Sequence, residues 1–121
     1  MLFHLAGPVP ADLGVRNGAL RDCPTTAHCS SQTWASSDPM ADFSKLSGLV
    51  QESPRTVVID QTETYLHAEA SSAFFGFVDD LELFADRDNN RIQARSESRL
   101  GESDLGVNAA RLAALRSGLE S

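Results

Sequence analysis

The feature that most constrains this chain is a change of period along it. Between residues 55 and 97, four consecutive stretches carry strand-like patterns. Residues 55–61 hold the β-branched run Thr-Val-Val-Ile. Residues 64–70 alternate, with Tyr65, His67 and Glu69 on one side and Leu66, Ala68 and Ala70 on the other. Residues 74–85 form a long third stretch and 91–97 a fourth, joined by the turn-prone Asp86-Arg-Asp-Asn-Asn90. Short connections between successive strands favour an antiparallel meander. On either side the period is helical. Asp38-Pro39 is a capping residue followed by a proline suited to the first helical position, and Met40, Phe43, Leu46 or Ser47, and Val50 then form one stripe until Ser53-Pro54. Residues 107–119 carry Leu112, Leu115 and Leu119 among alanines, with Asp104 or Asn108 as the cap and Gly118 as the end. This order predicts an α+β fold with a single antiparallel meander sheet of about four strands. Two helices pack on one face, and the other face is partly solvated.

Alternation also limits the register, because a one-residue slip sends every side chain to the opposite face. Placing Leu83 opposite Ile92 and Leu81 opposite Ala94 gives one apolar face. Glu82 then meets Gln93, and Asp80 meets Arg95, on a polar face shared with Tyr65, His67 and Glu69. Placing Phe84 opposite Ile92 would bury Glu82 and Asp80 unpaired beside Ala94, a heavy desolvation cost. Phe74, Phe75, Phe77 and Phe84 read as core.

Residues 1–37 read as an irregular segment with a cysteine loop, and 38–121 as the α+β domain. Glycines and prolines punctuate the segment, and Leu13, Val15, Leu20 and Trp34 are its anchors. Cys23 and Cys29 permit a disulfide where the compartment oxidises; the bridge would close only a small loop. His28 adds a third donor, short of the four that a structural zinc site takes. At 121 residues the chain has the size of one domain. Its net charge of −7 argues against nucleic acid, and its six arginines between Arg87 and Arg116 are spread among carboxylates. No stretch reaches the roughly 18 apolar residues of a membrane helix, and the start lacks the basic region of a signal peptide. The sequence as it stands reads as cytoplasmic, with a periplasmic or membrane-associated form as the alternative.

Several strings, in order, carry a family pattern. They are Leu-Gly-Val-Arg-Asn-Gly (13–18), Cys23-Pro followed by Cys29-Ser-Ser-Gln32, Tyr-Leu-His-Ala-Glu (65–69), Gly-Phe-Val-Asp-Asp (76–80), and Arg-Ser-Glu-Ser-Arg-Leu-Gly-Glu-Ser-Asp-Leu-Gly-Val-Asn (95–108) with Arg111. Together they resemble the family catalogued as domain of unknown function 1499. The chain departs from that pattern at His28-Cys29-Ser30, where the family usually has Asn-Cys-Val, and at Ala109, where it usually has a basic residue. The resemblance implies a small bacterial or plastid-type domain, sometimes attached to a membrane segment or export signal, with no established activity, substrate or catalytic residues.

Two polar groups are candidate ligand sites. One is Arg95, Ser96, Ser98, Arg99, Ser103, Asp104, Asn108 and Arg111, where forked guanidinium donors and a helix start could hold an anion. The same residues could instead form a structural network, with Arg99 paired to Asp104 or Asp79. The other is the sheet face of His67, Glu69, Asp80 and Arg95, where His67, Glu69 and Asp80 include metal-ligand types; Asp79 is a further candidate, as a partner of Arg99 or in a hydrolytic set. The leading expectation is a non-enzymatic binding or accessory domain, without a cofactor, that holds a small anionic ligand or a protein partner. The alternative is a hydrolase or metal-dependent enzyme using His67 with Ser96 or Ser98 and Asp79 or Asp80. No Gly-x-Ser-x-Gly elbow accompanies that set.

Overall fold

The computed structural model describes residues 7–72, 77–101 and 103–121. The elements are β1 Val15–Arg16, β2 Ala19–Leu20, β3 Cys29–Ala35, α1 Pro39–Glu52, β4 Thr56–Gln61, β5 Tyr65–Ser71, β6 Val78–Asp86, β7 Arg91–Ser98 and α2 Val107–Glu120. β1 and β2 form a small hairpin. The other five strands form one antiparallel sheet in the order β3-β7-β6-β5-β4. The start expected for the third strand, and the aromatics Phe74 and Phe75, lie outside the described residues, as does the chain start through residue 6.

Both helices form for the reasons their sequences give. Asp38 accepts a bond from the Ala41 amide at 3.1 Å, and Pro39 opens α1. Phe43, Leu46 and Val50 of α1 and Leu112 and Leu115 of α2 pack on Leu66, Ala68, Leu81, Leu83, Ala85, Ile92 and Ala94 of the sheet. Each fully buried Leu or Ile there contributes about 1.5–3 kcal/mol. Gly118, expected to end α2, lies inside it instead. A Cβ there would stand 3.0 Å from Leu49 Cδ1, so this glycine permits close approach of the two helices. Lys45 Nζ then ties α1 to the end of α2 through the Leu119 and Ser121 carbonyls.

The sheet departs from expectation in three ways. It has five strands rather than about four, because β3 pairs along β7 within the segment read as irregular. β3 is an edge strand of mostly polar residues with only Cys29 and Trp34 buried, so it lacks the apolar alternation that marks a strand. A second sheet exists as well. Asn17 and Gly18 both have positive φ, 55° and 75°, which a two-residue hairpin turn requires.

The second difference is register. Leu83 faces Ala94, Leu81 faces Ser96 and Ile92 faces Ala85, a shift of two residues that keeps every side chain on its expected face. Asp86 sets the shift. Its Oδ2 accepts from Arg91 Nε at 2.6 Å and from Gln93 Nε2 at 3.1 Å, so the ladder continues to Asp86–Arg91. Arg87–Asn89 then form a 3-10 turn, and Asn90 closes it with φ 51°. Arg95 consequently faces Glu82, and Asp80 faces Glu97. Phe84 lies half-buried on the far face and Phe77 is also half-buried, so neither joins the core cluster.

The third difference is the far face. It was expected to meet water, yet Asp80, Glu82 and Arg95 are 1%, 0% and 0% exposed. The N-terminal segment covers it. The Gly14 amide donates to Glu82 Oε2 at 2.7 Å and the Leu20 amide to Gln93 Oε1 at 2.9 Å, while Gln93 Nε2 donates to the Gly18 carbonyl at 3.0 Å. Cys23 and Cys29 are joined by a disulfide that links this cover to β3. At the opposite edge, β4 carries a bulge between Val58 and Asp60 and exposes Val57 and Ile59.

Because the bridge spans only six positions, reduction should remove about 2 kcal/mol without unfolding the sheet. Denaturant unfolding followed by the fluorescence of Trp34, the single tryptophan, checks this. A chain that unfolds outright on reduction would contradict the local role given to the bridge.

Candidate functional site

The twelve candidate residues do not converge on one site, because the sheet divides them. Successive side chains alternate between its faces. His67, Glu69, Asp80 and Arg95 lie on the face turned away from the helices, the one the N-terminal segment partly covers. Asp79, Ser96 and Ser98 lie on the helix face, together with Asn108 and Arg111 from α2.

On the covered face, Arg99 reaches back from the end of β7. Its Nε and Nη2 donate to the two Asp80 oxygens at 2.8 Å each, and Nη2 also reaches Glu69 Oε2 at 2.6 Å. The predicted partners Asp104 and Asp79 are not the ones it takes. His67 Nε2 is 2.7 Å from Asp80 Oδ1. Burial pushes the Asp80 carboxyl up, but bonds from Arg99 and His67 outweigh it and hold the group below its usual range. The bond to Asp80 raises the Arg99 value against the opposing pull of burial, with Glu69 adding to the rise. His67, Glu69 and Asp80 do bring one ligand atom each within 4.8 Å of one another. The Arg99 guanidinium already supplies a cation to both carboxylates of that group.

A second chain of charge runs beside the first. Arg95 Nη2 donates to Glu97 Oε1 at 2.6 Å, and its Nη1 lies 3.7 Å from Glu82 Oε1. Arg21 joins Glu97 to Asp12, and His28 Nδ1 lies 3.7 Å from Glu97 Oε2. The Tyr65 hydroxyl donates to Glu82 Oε2 at 2.6 Å. Burial, then this bond to a carboxylate, drives the Tyr65 value far above the ordinary phenol value.

On the helix face, Ser96 Oγ donates to Asn108 Oδ1 at 2.6 Å, and Asn108 Nδ2 donates to Ser98 Oγ and to Asp104 Oδ2. The N-cap position of α2 is Gly106 rather than the expected Asp104 or Asn108, and Asp104, two residues earlier, caps the first turn by accepting the Gly106 and Asn108 amides. Burial raises the Asp104 carboxyl, but the Asn108 side chain and those amides bring it below the usual range. Ser103 Oγ accepts the nearby Leu105 amide. The serines and Asp79 are thus separated from His67 by the sheet, and the Ser–His–Asp set is not assembled.

Arg111 is also ion-paired, with Asp79, but through one nitrogen only and at a half-buried position. Its three bonds, to Asp79, Ser96 and Asn108, all use Nη1, at 2.8, 3.1 and 2.9 Å. Nε and Nη2 make no bond among the described residues. Arg111 lines a cleft of about 450 Å³ where both helices meet the ends of β4 and β5. Leu49, Leu81, Ala110, Ala114 and Leu115 contribute its apolar walls, Arg55 is its second cation, and no carboxylate lines it among the described residues. The other clefts differ in charge. The one of about 250 Å³ under Pro8 and Pro10 holds Arg21 and Arg99 together with Asp80 and Glu97. Among the described residues, the one beside the disulfide is lined by Asp104 and no cation, and the one beside Ser47 and Gln51 by Glu63 and no cation.

Arg55, Leu49 and the alanine walls were absent from the sequence-derived site. Ala110 and Ala114 stand four positions apart, which puts two small side chains on one face of α2. That spacing was the available signal for a groove.

These features define a small α+β domain with helices on one side of its sheet and a bridged N-terminal cover on the other. The chain belongs to the family described as protein of unknown function (DUF1499), whose sequence model matches residues 16–119. A comparison with curated proteins gives no match. No helix among the described residues is long and apolar enough to cross a membrane.

Arg99→Ala should cost about 3–5 kcal/mol, since it strands two carboxylates in a covered layer. Asp104→Ala removes a helix cap and should cost about 1 kcal/mol. Urea unfolding of both variants tests that order, and equal losses would contradict it. Tyr65 is the single tyrosine. With its folded value raised, it stabilises the fold fully below the unfolded value of about 10 and ceases to do so as pH rises through the folded value. Tyrosinate absorbance should therefore appear only together with loss of the far-ultraviolet signal. Ionisation near pH 10 in folded protein would disprove the Tyr65–Glu82 bond.

Proposed function

We propose that this domain is a binding module for a small organic anion, held in the cleft between α1 and α2 with Arg111 as the principal contact. A single observation carries this reading. In a chain of net charge −7, this cleft presents two arginines and no carboxylate among its described lining residues. Concave sites with apolar walls and a few convergent polar groups are the usual form of small-ligand pockets. Three bonds through Nη1 fix the Arg111 guanidinium in place before any ligand arrives. The remaining Nε and Nη2 donors form the planar edge that matches a carboxylate or phosphate. The separation of His67 from Ser96 and Ser98 by the sheet further favours binding over hydrolysis.

The sheet face of His67, Asp80 and Arg95 is a poorer place for such a ligand. Its arginines each hold a carboxylate. Arg95 Nε and Nη1 are buried without a hydrogen-bond partner, but Arg95 is 0% exposed and lines none of the clefts described above, so an anion there would have to displace a buried partner.

Hexanoate titrated into the protein should shift the backbone NMR signals of Ala110, Ala114 and Ser71, whereas hexylammonium should leave them unmoved. Arg111→Gln should weaken the hexanoate response about tenfold or more. Equal responses to both probes, or none to hexanoate, would refute the reading.

A further inference from the structure

We infer that the ligand is an amphiphile, an anionic head on an apolar tail; this rests on the anion-binding reading of the same cleft. Charge selects the head, but the walls select the rest of the molecule. A site built for a bare anion would surround it with hydrogen-bond donors. Here Arg55 and Arg111 share the cleft with Leu49, Leu81, Leu115 and two alanines.

The shape has identifiable causes. Ala110 and Ala114 remove side-chain bulk from one face of α2, leaving space beside Leu49 of α1. Leu81 and Leu115 belong to the hydrophobic core itself, so the cleft opens onto the core rather than resting on surface polar groups. Its volume of about 450 Å³ falls within the range of small-ligand sites, roughly 300–1,000 Å³. A tail lying on these walls would leave water while its head stayed with the arginines. The head chemistry is that of a carboxylate, sulfate or phosphate monoester, since a guanidinium edge pairs with any of them.

The test is a series of straight-chain carboxylates of four, six, eight and ten carbons, each titrated below its aggregation limit by calorimetry and NMR. Binding should tighten about fourfold for each added methylene, the ratio that corresponds to burial of one CH₂. Ala114→Phe, which fills the cleft at an exposed helical position, should flatten the series while leaving the butyrate response in place. Arg111→Gln should weaken every member by a similar factor and leave the slope unchanged. A flat series in the parent protein, with butyrate as tight as decanoate, would overturn the amphiphile and leave the anion site standing. Failure of every member to bind would overturn both. Steepening affinity that persists in Ala114→Phe would place the tail elsewhere and refute this cleft as its site.

Discussion

The whole molecule depends on matching charge within a buried layer on the second face of the sheet. Asp80, Glu82 and Arg95 have almost no contact with water, and unpaired charges in that position would cost more than the core returns. Each therefore has an ionic partner, although Arg95 Nε and Nη1 and Glu82 Oε1 are buried without a hydrogen bond. Arg99 grips Asp80 and Glu69, and Arg95 stands between Glu97 and Glu82. Glu82 also receives the Tyr65 hydroxyl and the Gly14 amide. The N-terminal cover contributes in turn, because its backbone supplies bonds to Glu82 and Gln93 on this face.

That requirement explains why the polar residues are so dense. The helix-face set is equally self-contained, with Asn108 joining both serines to the Asp104 cap. Arg111 stands at the boundary of this network and the apolar cleft. It is anchored on one side and open on the other, a geometry suited to recognition.

Much of the fold was legible because period is a local property. Asp38-Pro39, the stripe through Val50 and the alternation at 65–70 each announce their element within a few residues. The faces of β6 and β7 were legible for the same reason. Their register was not, since a shift of two residues preserves every face and only the Asp86–Arg91 contact selects between the choices. β3 was hidden because an edge strand with polar side chains has no alternation to read. The Asn17-Gly18 hairpin has a local signal, since an Asn-Gly pair suits a two-residue turn, but the strands it joins are only two residues each. The partner of Arg99 was not legible, because it depends on a cover whose path no periodicity encodes. In the cleft, Arg111 stood out within its motif. Arg55 did not, because its place beside Arg111 exists only after α1 turns back into β4.

The bulge in β4 has a consequence for how copies of this chain behave together. A straight outer strand bearing Val57 and Ile59 would offer a regular ladder of backbone groups on which a neighbour could add its own strand. The shift between Val58 and Asp60 breaks that ladder midway. The same kink that positions Asp60 opposite His67 therefore acts as a safeguard against chain-to-chain stacking, allowing the apolar pair to remain in solvent.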